Sequence, residues 1–321
     1  MEYLFHHFIP LPWLCADLLA VALTAVVILF AIRRTLHPGM VVLEGLAFVF
    51  LYAGLFENFA VVQGWYVYGR SLLMIGDVPL SVPLIELDVL ILSLWLLERM
   101  DVPVWCRPFV VGLFGMLQDL SLDPLSGRQV FAIDGAASGR WTWLLEPGAA
   151  SFYGIPVYNY PGWMLIMLYS AVFLIIGREW FRRSGYPAWI GITYPFAAMF
   201  LALLAMISPV SQFLLWLAPF GSKGSGFEWI LLAFHLLFPM LLLLFLWRGR
   251  MKGRFAWPAD RALFIVPMAF HLSDIFWILA GGYFDILWLA LLASGVHAAI
   301  LAWIFLSGRK LPTVTESAYA P

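Results

Sequence analysis

Val78-Pro-Leu-Ser-Val-Pro-Leu-Ile-Glu86-Leu-Asp88-Val-Leu-Ile-Leu-Ser-Leu-Trp-Leu-Leu97 is long enough to cross the membrane as a helix, at about 1.5 Å per residue against about 30 Å of hydrocarbon. Yet it carries two carboxylates. An ionisable group at membrane depth costs about 2.5–3.5 kcal/mol on insertion scales, so the stretch reads as a bundle helix with its acids turned inward. Glu57, Asp119 and Asp123 also lie in or at the ends of apolar runs. The whole chain agrees: of 321 residues 63% are hydrophobic and 12% charged, and mean hydropathy is +0.92. These values belong to polytopic membrane proteins.

Nine runs read as spans: Leu14–Ile32, Val41–Val62, Val78–Leu97, Val104–Leu120, Gly162–Gly177, Ala188–Ile207, Phe227–Trp247, Arg261–Ala280 and Ile286–Phe305. Ser208–Phe220 reads as a half-buried segment. The expected fold is an all-α polytopic transmembrane bundle, one integral membrane domain over residues 1–321 with a short tail at 307–321. Met1–Trp13 lacks the basic stretch of a cleaved signal, so the first run is expected to remain a helix. Of 18 Lys and Arg residues, 14 fall on one side of this topology; Arg70, Arg128, Arg140 and Lys223 fall on the other. The positive-inside rule then puts the N-terminus outside and the C-terminus in the cytoplasm. No basic stripe suggests nucleic-acid binding. Cys15 and Cys106 fall near opposite membrane faces, so no mutual disulfide and no cysteine metal motif is expected.

Topology converts position into depth. Glu57 lies about 24 Å along its outward-running span, and Glu86 and Asp88 lie about 12–15 Å below the outer start of theirs. Asp119 sits at the outer end of the fourth span, with Asp123 one turn beyond. All five acids therefore gather in the outer half of the membrane. The connection from Asp123 to Pro161 is unusually long and aromatic, as site-building loops often are.

Glu57 is followed by Asn58, which is placed to orient its carboxyl; an interfacial helix end is the plainer reading. Glu86 and Asp88 are roughly 200° apart on a helix, so one is expected in the site, preferably Glu86, and the other elsewhere in the bundle. Asp119 and Asp123, at i and i+4, share a face and can share a proton, although Asp123 before Pro124 also suits a helix end. His271 and Asp274, with His235 and His297, suit a relay or a metal; hydrogen-bonded core residues are the commoner outcome. The multi-histidine boxes of membrane di-iron oxygenases are absent. Trp65, Tyr66 and Tyr68, with Trp141, Trp143, Phe152, Tyr153, Tyr158 and Tyr160 of the long connection, form an aromatic set on the outer side, fit for an interfacial belt or for stabilising a carbocation.

Several stretches together resemble the membrane-embedded carotenoid biosynthesis family that includes bisanhydrobacterioruberin hydratase and CruF-type acyclic-carotenoid hydratases. They are Gly54-Leu-Phe-Glu-Asn58, Gly64-Trp-Tyr-Val-Tyr68, Val82-Pro-Leu84, Asp119-Leu-Ser-Leu-Asp-Pro124, Trp141-Thr-Trp143 and Tyr153-Gly-Ile-Pro-Val-Tyr-Asn-Tyr-Pro-Gly-Trp163. The resemblance spans about residues 45–165; the helical part at 186–306 carries no matching motif. It implies a multi-pass protein of a bacterial or archaeal cell membrane that hydrates the terminal double bond of a linear carotenoid to a tertiary alcohol. A carboxylic acid would protonate the alkene, aromatic faces would stabilise the cation, and a second carboxylate would orient water. Neither metal nor redox cofactor is required. Glu57, Asp119 and Asp123, then Glu86, are the catalytic candidates. Asn58, Trp65, Tyr66, Tyr68, Trp141, Trp143, Tyr153 and Asn159 are the substrate-binding candidates. The implied partners are an acyclic, lycopene-like polyene, water, membrane lipid and other carotenoid enzymes.

Two rivals use the same acids. A membrane lycopene cyclase begins with the same protonation but closes a ring. A proton-coupled transporter would use the carboxylates as a relay, but the chain shows no repeated halves and its acids bunch on one side. A purely structural scaffold leaves the cost of so many acids unexplained.

Overall fold

In a computed structural model the protein is a bundle of long helices; residues 9–100, 102–145, 147–216, 226–247, 253–256, 259–307 and 309–310 are described. The helices are α1 (Leu11–Ile32), α2 (Pro38–Val62), α3 (Ser81–Glu98), α4 (Arg107–Arg128), α5 (Asn159–Arg183) and α6 (Ala188–Met206). The short α7 (Pro209–Trp216) follows, then α8 (Phe227–Trp247), α9 (Ala262–Gly281) and α10 (Phe284–Ser307). Seven of these are long and apolar enough to cross a membrane: α1, α2, α5, α6, α8, α9 and α10. The chain is an all-α polytopic membrane protein.

The acid-bearing α3 and α4 fall outside those seven, and they are the helices the bundle encloses. Buried residues make up 15 of the 18 in α3 and 17 of the 22 in α4. Enclosure explains their sequence: a helix surrounded by protein needs no uniformly apolar face toward lipid. Close approach of α4 to α5 depends on small residues. A Cβ at Gly112 would sit 2.7 Å from the Met164 side chain, and one at Gly115 2.6 Å from that of Met167.

Three elements differ from the sequence expectation. The fourth span does not end at Leu120: α4 continues through Pro124 to Arg128, so Asp123 lies inside a helix instead of capping one. Pro124 lacks an N–H for the Leu120 carbonyl, and packing against α9 and α10 supports the added turns. The fifth span is longer than Gly162–Gly177 at both ends. Within Ser208–Phe220, Pro209–Trp216 is helical, and residues 217–220 lie outside the described ones. In α2, residues Ala47–Ala53 form a π-helical segment.

Connections segregate to two ends. At one, β1 (Tyr66–Tyr68) joins an antiparallel pair with a later strand, Trp141–Trp143, so that Tyr66 faces Trp143 and Tyr68 faces Trp141. Small hairpins complete this end: β2 (Met74–Ile75) with β3 (Val78–Pro79), β4 (Val130–Ile133) with β5 (Ala136–Gly139), and β7 (Ser151–Phe152) with β8 (Ile155–Pro156). Trp141–Trp143 is β6. At the opposite end arginines knit the helices: Arg34 pairs with Asp260 at 2.7 Å, and Arg178 with Glu44 at 2.7 Å and Glu98 at 3.2 Å. Cys15 lies near the start of α1, toward the hairpin end, and Cys106 just before α4, toward the arginine end; both thiols are free.

Candidate active site: an aromatic chamber with carboxyl groups

Under the β1–β6 pair, α2, α4 and α5 enclose a cavity of about 60 Å³. That is room for a few waters, since one needs about 10–15 Å³. Glu57 and Asp123 reach it from α2 and α4, and Asn159 from the start of α5. Trp65, Tyr66, Tyr68, Trp141, Trp143, Tyr158 and Trp163 supply aromatic walls. The strand register stacks those walls: the Tyr66 ring lies 4.6 Å from Trp143 and 5.3 Å from Tyr68.

Each carboxyl has distinct partners. Glu57 Oε2 accepts hydrogen bonds from the Tyr66 hydroxyl at 2.5 Å and the Tyr68 hydroxyl at 2.6 Å. Burial pushes the ionisation of both phenols well above its ordinary value, which keeps them O–H donors. Asn159 Nδ2 donates to Asp119 Oδ2 at 2.7 Å and to Asp123 Oδ2 at 2.6 Å. Both aspartates, one turn apart on α4, thus converge on a single amide nitrogen. Trp143 faces Asp123 from above, although its indole N–H closes no hydrogen bond. Asp119 is fully buried behind Asp123, with Oδ1 unpartnered.

Glu86 and Asp88 part company as helix geometry demands. Glu86, fully buried and with both oxygens unpartnered, lies close enough to Glu57 and Asp123 to feel their charge but does not line the cavity. Asp88 turns the other way and accepts from Thr24 at 3.0 Å. Two sequence-selected residues are placed elsewhere. Asn58 donates to the carbonyls of Gly54 and Ile75 and accepts from the Asp77 N–H, tying α2 to the β2–β3 turn. Tyr153 accepts from the Trp288 indole at 2.7 Å, on the rim between β7–β8 and α10.

Two further buried acids, Asp17 and Glu44, were not singled out by sequence reasoning, and they set a contrast. Asp17 accepts from Ser71, Ser81 and Arg140; Glu44 takes a bidentate hold from Arg178 and a bond from Tyr194. Among the described residues, no ion pair reaches Glu57, Glu86, Asp119 or Asp123. Asp17 and Glu44 are thus paired with arginine, whereas the acids at the chamber, like Asp88 and Asp274, have no ion-pair partner among the described residues. Sequence reasoning gave no site role to Phe56, Gly162, Trp163, Ile166 and Met206 in the cavity wall. The stripe Asn159, Gly162, Trp163 and Ile166, at i, i+3, i+4 and i+7, is the signal that marks one face of α5.

The histidines form a separate network. Ser121 donates to Asp274 at 2.7 Å and lies 3.3 Å from His271 Nδ1, and His271 Nε2 lies 3.0 Å from His297 Nδ1. His235 closes on its own helix at the Leu231 carbonyl. Among the described residues no cluster of three or more His, Cys, Asp or Glu side chains could hold a metal.

A polytopic helical bundle of this kind is an integral membrane protein, and this one encloses carboxyls without ion-pair partners beneath aromatic rings. Its sequence matches the profile of the carotenoid biosynthesis protein family over residues 15–219, and the chain belongs to that family. The matched residues contain the whole chamber and stop short of α8, α9 and α10. No curated protein and no solved structure matches the chain.

Proposed function

We propose that the protein adds water across the terminal 1,2 double bond of an acyclic carotenoid, giving a tertiary alcohol. The observation that carries this reading is the meeting of Glu57 and Asp123 at one cavity among aromatic rings, in a member of a carotenoid biosynthesis family. The Asp119–Asp123 pair acts as the acid: one of its two carboxyls is protonated and gives that proton to the less substituted alkene carbon. A tertiary cation forms at the other carbon, facing the rings of Tyr66, Trp143 and Trp163. Glu57, anchored at Oε2 by two phenols, keeps Oε1 for water; it takes the proton that water loses as the new C–O bond forms. Exchange through cavity water returns a proton to the aspartates. The addition is redox-neutral, so a proton donor, a cation-stabilising wall and water account for it.

Cyclisation shares the first step but needs a second alkene of the same chain folded against the cation and water kept away. Two carboxyl centres beside a cavity with room for water favour capture by water. Expression in a lycopene-accumulating host, with chromatography and mass spectrometry of the pigments, tests this. A more polar product heavier by one water is expected; a less polar isomer of unchanged mass would identify a cyclase and overturn the assignment.

A further inference from the structure

We infer that the polyene reaches the acids along a single face of α5, and that Gly162 is the doorway; this rests on the carotenoid reading above. Three observations support it. The cavity wall follows α5 from Asn159, which holds both aspartates, through Gly162 and Trp163 to Ile166. At 1.5 Å per residue that stripe carries the cavity about 10 Å from the aspartates toward the middle of the bundle. There Phe56 of α2 and Met206 of α6 line it with apolar side chains. Second, Gly162 is the gap in this wall. It sits half-buried in ordinary helix, and a Cβ built on it meets no atom within 4 Å. Gly112 and Gly115, by contrast, are filled by Met164 and Met167, so smallness serves packing there and vacancy at Gly162. Third, chain neighbours of those lining residues are apolar and exposed: Phe59, one turn after Phe56, at 41%, and Ile207, next to Met206, at 43%. A molecule dissolved in lipid meets this side of the bundle before it meets the carboxyls.

The geometry sorts substrates by shape. A linear, methyl-branched chain fits a slot along this stripe, with its end group at Asp123 and the rest trailing past Ile166 and Met206 into lipid. A chain whose end is already closed into a ring is too broad for that slot.

The test is a volume series at Gly162, with Gly295 as control, a helical glycine on α10 that likewise has open space around it. Membranes holding matched amounts of wild type, Gly162→Ala, Gly162→Leu and Gly295→Leu are supplied with lycopene. Product formation and the polyene absorbance that co-purifies with each protein are both measured. Gly162→Leu is expected to lose at least about ten-fold in both, because a misplacement of about 1 Å alone can cost about a hundred-fold. Gly162→Ala should fall in between, and Gly295→Leu should match wild type. Wild-type turnover and retention in Gly162→Leu would overturn the doorway while leaving the hydratase reading intact. If wild type forms no product, that reading fails alone, and co-purified polyene still decides: lost in Gly162→Leu, the doorway stands; retained, or absent from wild type, it falls.

Discussion

At Asp123, exchanging the carboxyl for an amide keeps size and a partner for Asn159 but removes a group that can donate a proton. Asp123→Asn should therefore lower carotenoid product by about 100-fold or more at matched protein level, the usual worth of a general acid. Full activity in that variant would take the aspartate pair out of the mechanism. Glu57 is buffered by two donors, so Tyr66→Phe and Tyr68→Phe should each slow turnover partially, and the double variant more than either. A hydrogen bond to a charged group is worth about 1.5–3 kcal/mol, and losing one leaves the other in place. Initial rates on lycopene in membranes are the measurement. Much at this scale was legible in sequence: Glu57, Asp119, Asp123 and the aromatic set stand out because hydrocarbon makes acids conspicuous. The partner of each acid was not legible. Asn58 adjoins Glu57 in the chain yet binds a turn, whereas Asn159, 36 residues from Asp123, holds the site.

The π-helical segment of α2 inserts a residue into the turn and so rotates all that follows by about 100°, which aims Glu57 at the chamber. It depends on Gly54, because a Cβ there would lie 2.5 Å from the Val49 carbonyl oxygen. Gly54→Ala is expected to destabilise by about 1–3 kcal/mol, the cost of overpacking, and to impair product formation beyond the loss of folded protein. Thermal unfolding in detergent together with yield per folded molecule separates the two effects. Ser121 presents the opposite face of α4 to His271 and Asp274. Ser121→Ala should cost about 1–3 kcal/mol of stability by leaving those groups unsatisfied, with turnover per folded molecule unchanged. Reduced turnover per folded molecule would give that network a part in the chemistry. Hydropathy marks where such helices run, but π-segments and helix-to-helix hydrogen bonds leave no periodic trace.

Across the whole molecule the basic end is held by Arg178, which joins Glu44 of α2 and Glu98 of α3 to α5, while Tyr194 of α6 also bonds Glu44. Arg178→Met strands a buried carboxylate and should cost about 3–5 kcal/mol, whereas adding Glu44→Gln should restore part of it. Melting temperatures of the single and double variants in detergent check this. Orientation is a second whole-molecule expectation. With Cys15 and Cys106 replaced, a Val67→Cys label site on β1 should react with a membrane-impermeant maleimide added outside intact cells. Labelling only after permeabilisation would invert the topology.

Length, hydropathy and the one-sided placement of arginine were enough to establish a helical membrane bundle with acids gathered toward one end, because transfer into hydrocarbon penalises each residue independently of its neighbours in space. Tertiary structure alone decided which of those acids meet at the chamber. Whether a buried carboxyl is matched by an arginine, by phenols or by an amide depends on helix rotation and on strands paired across some 75 residues, as Tyr68 with Trp141. Those pairings arise from packing between distant segments, which no local pattern of residues encodes.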